Sequence, residues 1–258
     1  PKIMFKKVLT LVLMTPLLIG SYATLQAQEE APEPIWESFY ITPDNTKLKA
    51  LGEAMSKHNK KYHKEGVHRA VVYNVVSGPN MGKMVWQMGP VGFSDLDTRP
   101  AEGGHDEDWR DNVMPNVKKM QSGEYWRQNN KVSNTEMLQG DDMAYKILHV
   151  RFFEVEDGSG YQIDHLMDQI GKAVKDMEGE NPWGMYDNMF RQGNLGRHLA
   201  TVMFHKNWAS YDQDRNFKDS FLKVNGKDSW DAFNKGMMSA FSNSCDEIWQ
   251  YNAALSGY

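Results

Sequence analysis

Cysteine is almost absent from this sequence, since Cys245 is the only one among 258 residues. One thiol cannot close an internal disulfide, so the fold must be stabilised by its hydrophobic core. Cys245 lies in an apolar pattern near Phe241 and Ile248, which is typical of a small buried side chain rather than a reactive nucleophile. It does not follow the N-terminal apolar run, so we expect no lipid anchor there.

Positive charge is also scarce. The 29 basic residues are outnumbered by 34 acidic ones, which gives a formal net charge of -5. Phosphate-rich partners select for clustered positive charge, so the composition argues against nucleic-acid binding and against a polybasic membrane patch. The 40% hydrophobic and 12% aromatic residues are sufficient to build a packed core.

The best-known catalytic and cofactor signatures are missing as well. The sequence contains no G-x-S-x-G, G-x-x-x-x-G-K-[ST], G-x-G-x-x-G, H-E-x-x-H or C-x-x-C motif. These absences remove the usual signals of serine hydrolases, nucleotide-binding proteins and zinc sites. The motifs therefore do not decide whether the protein is an enzyme, and they predict no cofactor.

The longest apolar run is confined to the N-terminal region. Residues 8–19 follow three lysines and precede a small and polar stretch, residues 20–27. This three-part pattern predicts a secretory signal peptide, residues 1–27, cleaved after Ala27 or, as second choice, after Ala23. The alternative is an uncleaved anchor, but twelve residues rise only ~18 Å as a helix, against a hydrocarbon layer of ~30 Å.

The protein is therefore predicted to be exported, to the periplasm or outside the cell. Residues 28–34 are acidic and proline-rich, which favours a flexible lead-in. No later segment approaches 18 consecutive apolar residues, so we expect no stable membrane insertion after cleavage.

Strand-type and helix-type patterns then follow one another in the same order twice. The first half, residues 35–135, predicts strand 35–41, helix 43–64, strands 69–76 and 83–88, helix 106–121 and strand 124–130. The second half, residues 144–258, predicts strand 145–155, helix 161–178, strands 183–191 and 198–205, a helix from Asp228 or Ser229 that includes Phe241, and strand 248–253. Both halves read β-α-β-β-α-β.

A nearly constant offset links the two halves. Residues 93–97 lie 115 positions before residues 208–212, and Trp36 and Arg69 are related in the same way to Arg151 and Gly184. Near the end Trp126 lies 123 positions before Trp249, so the second half has gained about eight residues, which we place around 216–227. These offsets predict an internal duplication. Two unrelated α+β halves are the alternative.

The element order resembles that of the dimeric α/β barrel superfamily, which includes antibiotic-biosynthesis-type monooxygenases, chlorite-dismutase-like and NIPSNAP-like proteins. The resemblance covers residues 35–255 and rests on the element order and on segments 93–97 and 208–212. It implies an α+β fold in which tandem ferredoxin-like repeats form an intrachain α/β barrel. It includes no catalytic signature, so any function drawn from it is analogy.

Candidate site residues follow from the alternation along strand 145–155. Leu148, Val150 and Phe152 suit a face covered by helices, which would turn His149 and Arg151 toward the space between the two sheets. His205, next to the Trp208 segment, is the third candidate. These three residues are predicted to bind a ligand. The alternative is that they pair with carboxylates across the sheet.

The histidines at positions 58, 63 and 68 suggest a metal site at first sight. A five-residue step rotates by ~500° on a helix, which is ~140° away from a common face. Because no zinc spacing is present either, the sequence predicts no metal site.

Three functions remain open. The first is a binding module that holds a small, partly apolar molecule between its sheets. The second is a monooxygenase-like enzyme, cofactor-free or haem-dependent. The third is a structural or interaction protein with a filled barrel, in which case a homodimer is a further option. The missing catalytic signatures favour the first and third over the second.

Overall fold

The computed structural model describes residues 33–138, 144–192 and 195–257, and in these ranges eight strands form one antiparallel sheet. The strands are β1 (Ile35–Pro43), β2 (Ala70–Ser77), β3 (Met84–Val91), β4 (Val117–Gln128), β5 (Ile147–Val155), β6 (Trp183–Asn188), β7 (Leu199–His205) and β8 (Phe241–Tyr251). The α-helices are α1 (Leu48–Tyr62), α2 (His105–Asp108), α3 (Gly160–Asp176), α4 (Phe217–Asn225) and α5 (Ser229–Ala240). The mixed α+β class predicted from the sequence is confirmed.

The hydrogen-bonded strand order is β1-β3-β2-β8-β5-β7-β6-β4, and β4 pairs again with β1. Each of these eight strands therefore has two neighbours, which leaves none of them with a free backbone edge. The first and second halves of the chain meet at two seams. At one seam Val75 of β2 pairs with Trp249 of β8, and at the other Arg127 of β4 pairs with Asp187 of β6.

Buried hydrophobic side chains form three clusters. The inner cluster lies between the strands and is mostly aromatic and β-branched: Tyr40, Tyr73, Val75, Val85, Trp126, Leu148, Val150, Phe152, Tyr186, Ala200, Val202 and Trp249. A second cluster joins the outer face of the sheet to α3, α4 and α5, and a third joins it to α1. A side chain on a strand therefore contacts either the inner cluster or the outer layer.

The predicted orientation of β5 is wrong. Leu148, Val150 and Phe152 belong to the inner cluster, whereas Phe153 packs outside against the helices. The alternation correctly divided the side chains of β5 into two faces, but it could not show which face turns inward. Both the inner cluster and the helix-covered outer layer beside this strand are apolar. His149 and Arg151 consequently lie on the outer face.

The predicted helix 106–121 is much shorter in the structure. Four residues of α2 are followed by a π-helical turn, Trp109–Val113, and a 3-10 turn, Met114–Asn116. Pro115 cannot donate a backbone hydrogen bond, so the helix does not continue past it. From Val117 onward the chain pairs with β1 instead, and the closing strand starts seven residues earlier than predicted.

The segment around 216–227, where the changed offset indicated an insertion, contains α4, which was not predicted from the sequence.

Two element boundaries also differ from the prediction. Thr42 and Pro43 still pair with β4, so α1 begins only at Leu48. Phe241, predicted in the last helix, opens β8, which is therefore longer than the predicted strand 248–253.

The predicted signal peptide, residues 1–27, and most of the lead-in lie outside the described residues. Export therefore stays a prediction. Within the ranges that the structure describes, no helix combines the length and hydropathy needed to cross a membrane.

Candidate functional site

His149 and His205 lie close together on the outer face of β5 and β7. The register pairs Ile147 with His205 and His149 with Met203, which places both imidazoles on the same side of the sheet. Tyr211, in the 3-10 turn Trp208–Asp212, stacks on His205 with 4.3 Å between ring centroids. Its ring is also 6.0 Å from that of His149. One tyrosine therefore contacts both predicted histidines.

Arg151 joins the same cluster through a carboxylate. Its Nε and Nη2 donate to the two oxygens of Asp246 at 2.7 and 2.8 Å. Asp246 Oδ1 also lies 3.3 Å from His149 Nε2, without the alignment of a good hydrogen bond. The hydrogen bond from Arg151 lowers the pKa of the Asp246 carboxyl. All three predicted residues are brought together, and Arg151 makes the cross-strand carboxylate pair that the alternative described.

His205 has a defined tautomer and an unpartnered donor. Its Nδ1 lies 3.4 Å from Nη2 of Arg215, and because a guanidinium only donates, Nδ1 must accept. The hydrogen is then on Nε2, which is buried and has no hydrogen-bond partner within residues 33–138, 144–192 and 195–257. Burial, followed by the nearby Arg215 charge, lowers the pKa of His205 to about 4. The ring is therefore neutral near pH 7.

We expect His205 to make folding sensitive to mild acid. Its folded pKa of about 4 lies below the ordinary value of 6.5, so its stabilising effect is complete above pH ~6.5 and is lost as the pH falls toward ~4. The variant His205→Gln should lose less stability over this interval than the unmodified protein. Urea unfolding at several pH values between ~6.5 and ~4 measures this loss of stability, and His165→Gln, at an exposed histidine, is the control. Parallel curves for the protein and His205→Gln would contradict the assignment.

The cluster borders on flat apolar surface and on a cleft. Trp208 is half exposed, and its ring stacks on Tyr211 with 5.8 Å between centroids. Arg215 contacts His205 and also lines a cleft of about 480 Å³ with several acidic side chains, among them Asp176, Glu180 and Asp214. A small molecule on the outer face thus has both ring surface and polar groups within reach.

A buried charged network inside the sheet was not found by the sequence analysis. Nη1 of Arg197 lies 3.1 Å from Oε1 of Glu124, and Nη2 donates to the Tyr40 hydroxyl at 2.5 Å. That hydroxyl donates to Oε2 of Glu247 at 2.6 Å. All four side chains are less than a tenth exposed. Burial raises the pKa of the Glu124 carboxyl, although the Arg197 charge opposes this.

The two glutamates of this network repeat one local arrangement. Trp126 Nε1 donates to Glu124 at 3.1 Å, and Trp249 Nε1 donates to Glu247 at 2.7 Å. Each glutamate lies two residues before its tryptophan, so both side chains lie on the inner face of their strands. The offset of 123 that relates Trp126 to Trp249 also relates the glutamates, and this was the available sequence signal.

The rotation argument about the histidines is wrong for one pair. The rings of His58 and His63 lie 5.4 Å apart, and His105 lies within 5.2 Å of each. The argument assumed a continuous helix, but α1 ends at Tyr62 and His63 has a φ of -129°. The third member is His105 rather than His68, whose side chain lies 2.8 Å from the carbonyl oxygen of Asp95.

No protein-family model and no curated protein matches the chain, but several solved structures share its fold. One is an anthrone oxidase-like protein, at 12% identity over 88% of this chain and 94% of the other, with a TM-score of 0.53. Another, from Fusobacterium nucleatum, is described as a candidate monooxygenase, at 10% identity over 86% and 94%, TM-score 0.51. A chlorite dismutase variant from Candidatus Nitrospira defluvii matches at 8% identity over 87% and 95%, TM-score 0.51.

At these identities the likeness concerns the fold alone. The resemblance expected from the sequence is confirmed as a likeness of fold to solved structures described as a candidate monooxygenase, an anthrone oxidase-like protein and a chlorite dismutase variant.

Proposed function

We propose that this chain binds a small, flat, partly apolar molecule at the cluster of His149, Arg151 and His205. The observation that carries the proposal is the buried Nε2 hydrogen of His205, which has no partner. An unsatisfied buried donor costs about 1–3 kcal/mol, and an oxygen atom of a ligand would remove that cost. Tyr211 and Trp208 offer ring surface beside it, which suits a planar molecule.

The proposed ligand lies on the outer face and not between the sheets, where the sequence analysis expected it. The inner space holds the aromatic side chains of the inner cluster and the Arg197 network. Because Nε2 of His205 is buried, it would donate to a carbonyl or hydroxyl oxygen of the ligand once the side chains that cover it move aside. Arg151 would act indirectly, by fixing the Asp246 carboxylate beside His149.

The proposal predicts that an oxygen substituent strengthens binding and that His205 is the reason. We expect 1-naphthol to bind more tightly than naphthalene by a factor of about ten, which corresponds to one neutral hydrogen bond. In the variant His205→Phe the ring still stacks on Tyr211 but the donor is gone, so the two probes should bind alike. Equilibrium dialysis with the full chain measures both affinities.

Two comparisons complete this experiment. His165→Phe, at an exposed position of α3, should keep the preference for 1-naphthol. His149→Ala should weaken both probes, and an unchanged affinity would remove His149 from the site. A preference for 1-naphthol that persists in His205→Phe would refute the proposed contact.

A second candidate is a monooxygenase-like activity, cofactor-free or haem-dependent. It is supported by the fold likeness to a candidate monooxygenase and to an anthrone oxidase-like protein. A visible absorption band of the purified protein would assign the haem-dependent form. A colourless protein that consumes oxygen with a phenolic substrate would assign the cofactor-free form. If the protein consumes no oxygen, whether or not it is coloured, ligand binding is the function that remains.

The finer architecture and the location belong to the same proposal. Two ferredoxin-like repeats would form an intrachain α/β barrel, which is supported by the strand order and by the matching Glu-x-Trp arrangements on β4 and β8.

The N-terminal pattern supports export of the protein. Mass spectrometry of the mature chain would show whether cleavage occurs near Ala27. Self-association as a homodimer remains to be measured by sedimentation.

A further inference from the structure

Three histidines from separate parts of the chain meet beside the end of α1. His58 lies on α1, His63 directly follows that helix, and His105 opens α2. His58 and His63 are almost fully buried, and His105 is partly exposed. Each residue offers one ligand atom, and these atoms all lie within 4.8 Å of one another. His105 follows Gly103 and Gly104, whose φ angles of 70° and 81° allow the tight turn that brings it there.

The Nδ1 atom of each ring faces an oxygen acceptor. His58 Nδ1 lies 2.8 Å from an Asp108 carboxylate oxygen, and His105 Nδ1 lies 2.7 Å from one of Asp106. His63 Nδ1 lies 2.8 Å from the carbonyl oxygen of His68. An oxygen that only accepts requires the hydrogen to be on Nδ1, so in the neutral rings every Nε2 atom has a free lone pair.

Among the residues that the structure describes, these Nε2 lone pairs have no suitable partner. Nε2 of His63 lies 3.1 Å from Nε2 of His105, so two acceptors face each other. Nε2 of His58 is buried and makes no hydrogen bond at all. A tautomer change in one ring would relieve the contact only by leaving its Nδ1 without a hydrogen opposite an oxygen. A cation among the three nitrogens satisfies all of them at once.

We infer that His58, His63 and His105 form a binding site for a divalent transition-metal ion, with Zn²⁺ as the expected occupant. Zn²⁺ binds imidazole nitrogen at about 2.0–2.1 Å, which in a tetrahedral site puts the nitrogens about 3.4 Å apart. Because the three ligand atoms already lie within 4.8 Å of one another, small side-chain movements would bring them to that spacing. Asp106, Asp108 and the His68 carbonyl would orient the ligands, as outer partners of metal-bound histidines commonly do.

The chemistry of the ligands also limits what the ion does. Three neutral imidazoles leave its charge uncompensated and leave the fourth tetrahedral position for water or for an anionic or carbonyl ligand. No metal site was predicted from the sequence, because the helical rotation separated the histidines and because no standard zinc spacing is present.

Equilibrium dialysis of the full, chelator-treated chain against Zn²⁺ near pH 7 tests the inference. We expect about one tightly bound zinc ion per chain. His105→Ala, the least buried of the three changes, should weaken binding by more than ~100-fold, because loss of a ligand exceeds the ~10–100-fold effect of an outer partner. Asp108→Asn should give an effect within that smaller range. His165→Ala, at an exposed histidine of α3, should bind Zn²⁺ as the unmodified chain does.

A spectroscopic measurement separates a real site from loss of structure. Co²⁺ in place of Zn²⁺ should give the visible absorption bands of tetrahedral coordination, and these should be lost in His105→Ala while its far-ultraviolet circular dichroism is unchanged. Zinc binding of equal strength in His105→Ala would overturn the inference. So would the absence of zinc binding, which would leave an ordinary hydrogen bond between the two Nε2 atoms, after a tautomer change in one ring, as the account of the short contact.

Discussion

Replacing Arg197 with methionine is expected to lower the free energy of unfolding by about 3–5 kcal/mol, the usual cost of removing one partner of a buried ion pair. Methionine keeps much of the apolar volume, so the loss is mainly electrostatic. The guanidinium lies 3.9 Å from the centre of the Phe152 ring and 3.1 Å from Glu124, inside the inner cluster. Without it Glu124 is a buried carboxyl whose remaining hydrogen-bond donor is Trp126.

The two glutamates respond differently to this change. Glu247 still accepts hydrogen bonds from Tyr40, Trp249 and Asn80, and Lys83 is nearby. Glu124 has only Trp126 in addition to Arg197 among the contacts described here. The double variant Arg197→Met with Glu124→Gln should therefore recover part of the lost stability, since the uncompensated charge is removed as well.

Urea unfolding of the four proteins in this cycle measures the coupling. Arg191→Met, at an exposed arginine between β6 and β7, serves as the matched control and should change stability by no more than about 0.5 kcal/mol. If the double variant loses as much as the sum of the two single variants, the ion pair does not contribute as described.

The sequence predicted elements well where the apolar spacing was long and regular. Helix 161–178 corresponds to α3, Gly160–Asp176, and strand 198–205 to β7, Leu199–His205. Predictions failed where pairing overrode the local pattern. Residues 117–121 fit a helical stripe, but their backbone pairs with β1.

The buried network could not be read from alternation alone. A glutamate within a strand normally indicates a solvent-exposed face. Glu124 and Glu247 can be buried because Arg197 pairs with Glu124 and the Tyr40 hydroxyl donates to Glu247. Those partners are 73 and 207 residues away along the chain, a relation that only tertiary structure supplies.

Two predictions about the candidate residues, the face of β5 that carries His149 and the separation of the histidines, were wrong for different physical reasons. The set His149, Arg151 and His205 is brought together, but the strand presents it outward because the apolar set fits the aromatic interior. The histidine cluster was dismissed because the rotation per residue was applied beyond the last residue of α1. His105 also comes from a separate turn, so no spacing within one element would have found the set.

Shortening Phe221 to alanine is the second change with a large expected effect, and it tests the helix that the sequence analysis did not predict. Phe221 is fully buried on α4, with ring centroids 4.5 Å from Phe233 and 5.1 Å from Trp230. Truncating a phenylalanine in such a core costs about 3–5 kcal/mol. Tyr161→Ala, at an 82% exposed aromatic position on α3, is the control and should cost no more than about 0.5 kcal/mol.

The response to Phe221→Ala shows whether α4 unfolds on its own or together with the sheet. Apart from Phe221 and its aromatic neighbours, polar contacts link α4 to α3: Asn225 donates to the Gln169 carbonyl at 3.1 Å, and Lys223 pairs with Asp176 at 2.7 Å. If α4 opens on its own, Phe221→Ala should accelerate amide exchange in α4 with little change in the urea midpoint. If α4 unfolds together with the sheet, the midpoint falls by the full amount. If neither the urea midpoint nor the amide exchange of α4 changes, Phe221 does not stabilise this layer. Both local opening and global unfolding should become easier when the Phe221 side chain leaves a cavity.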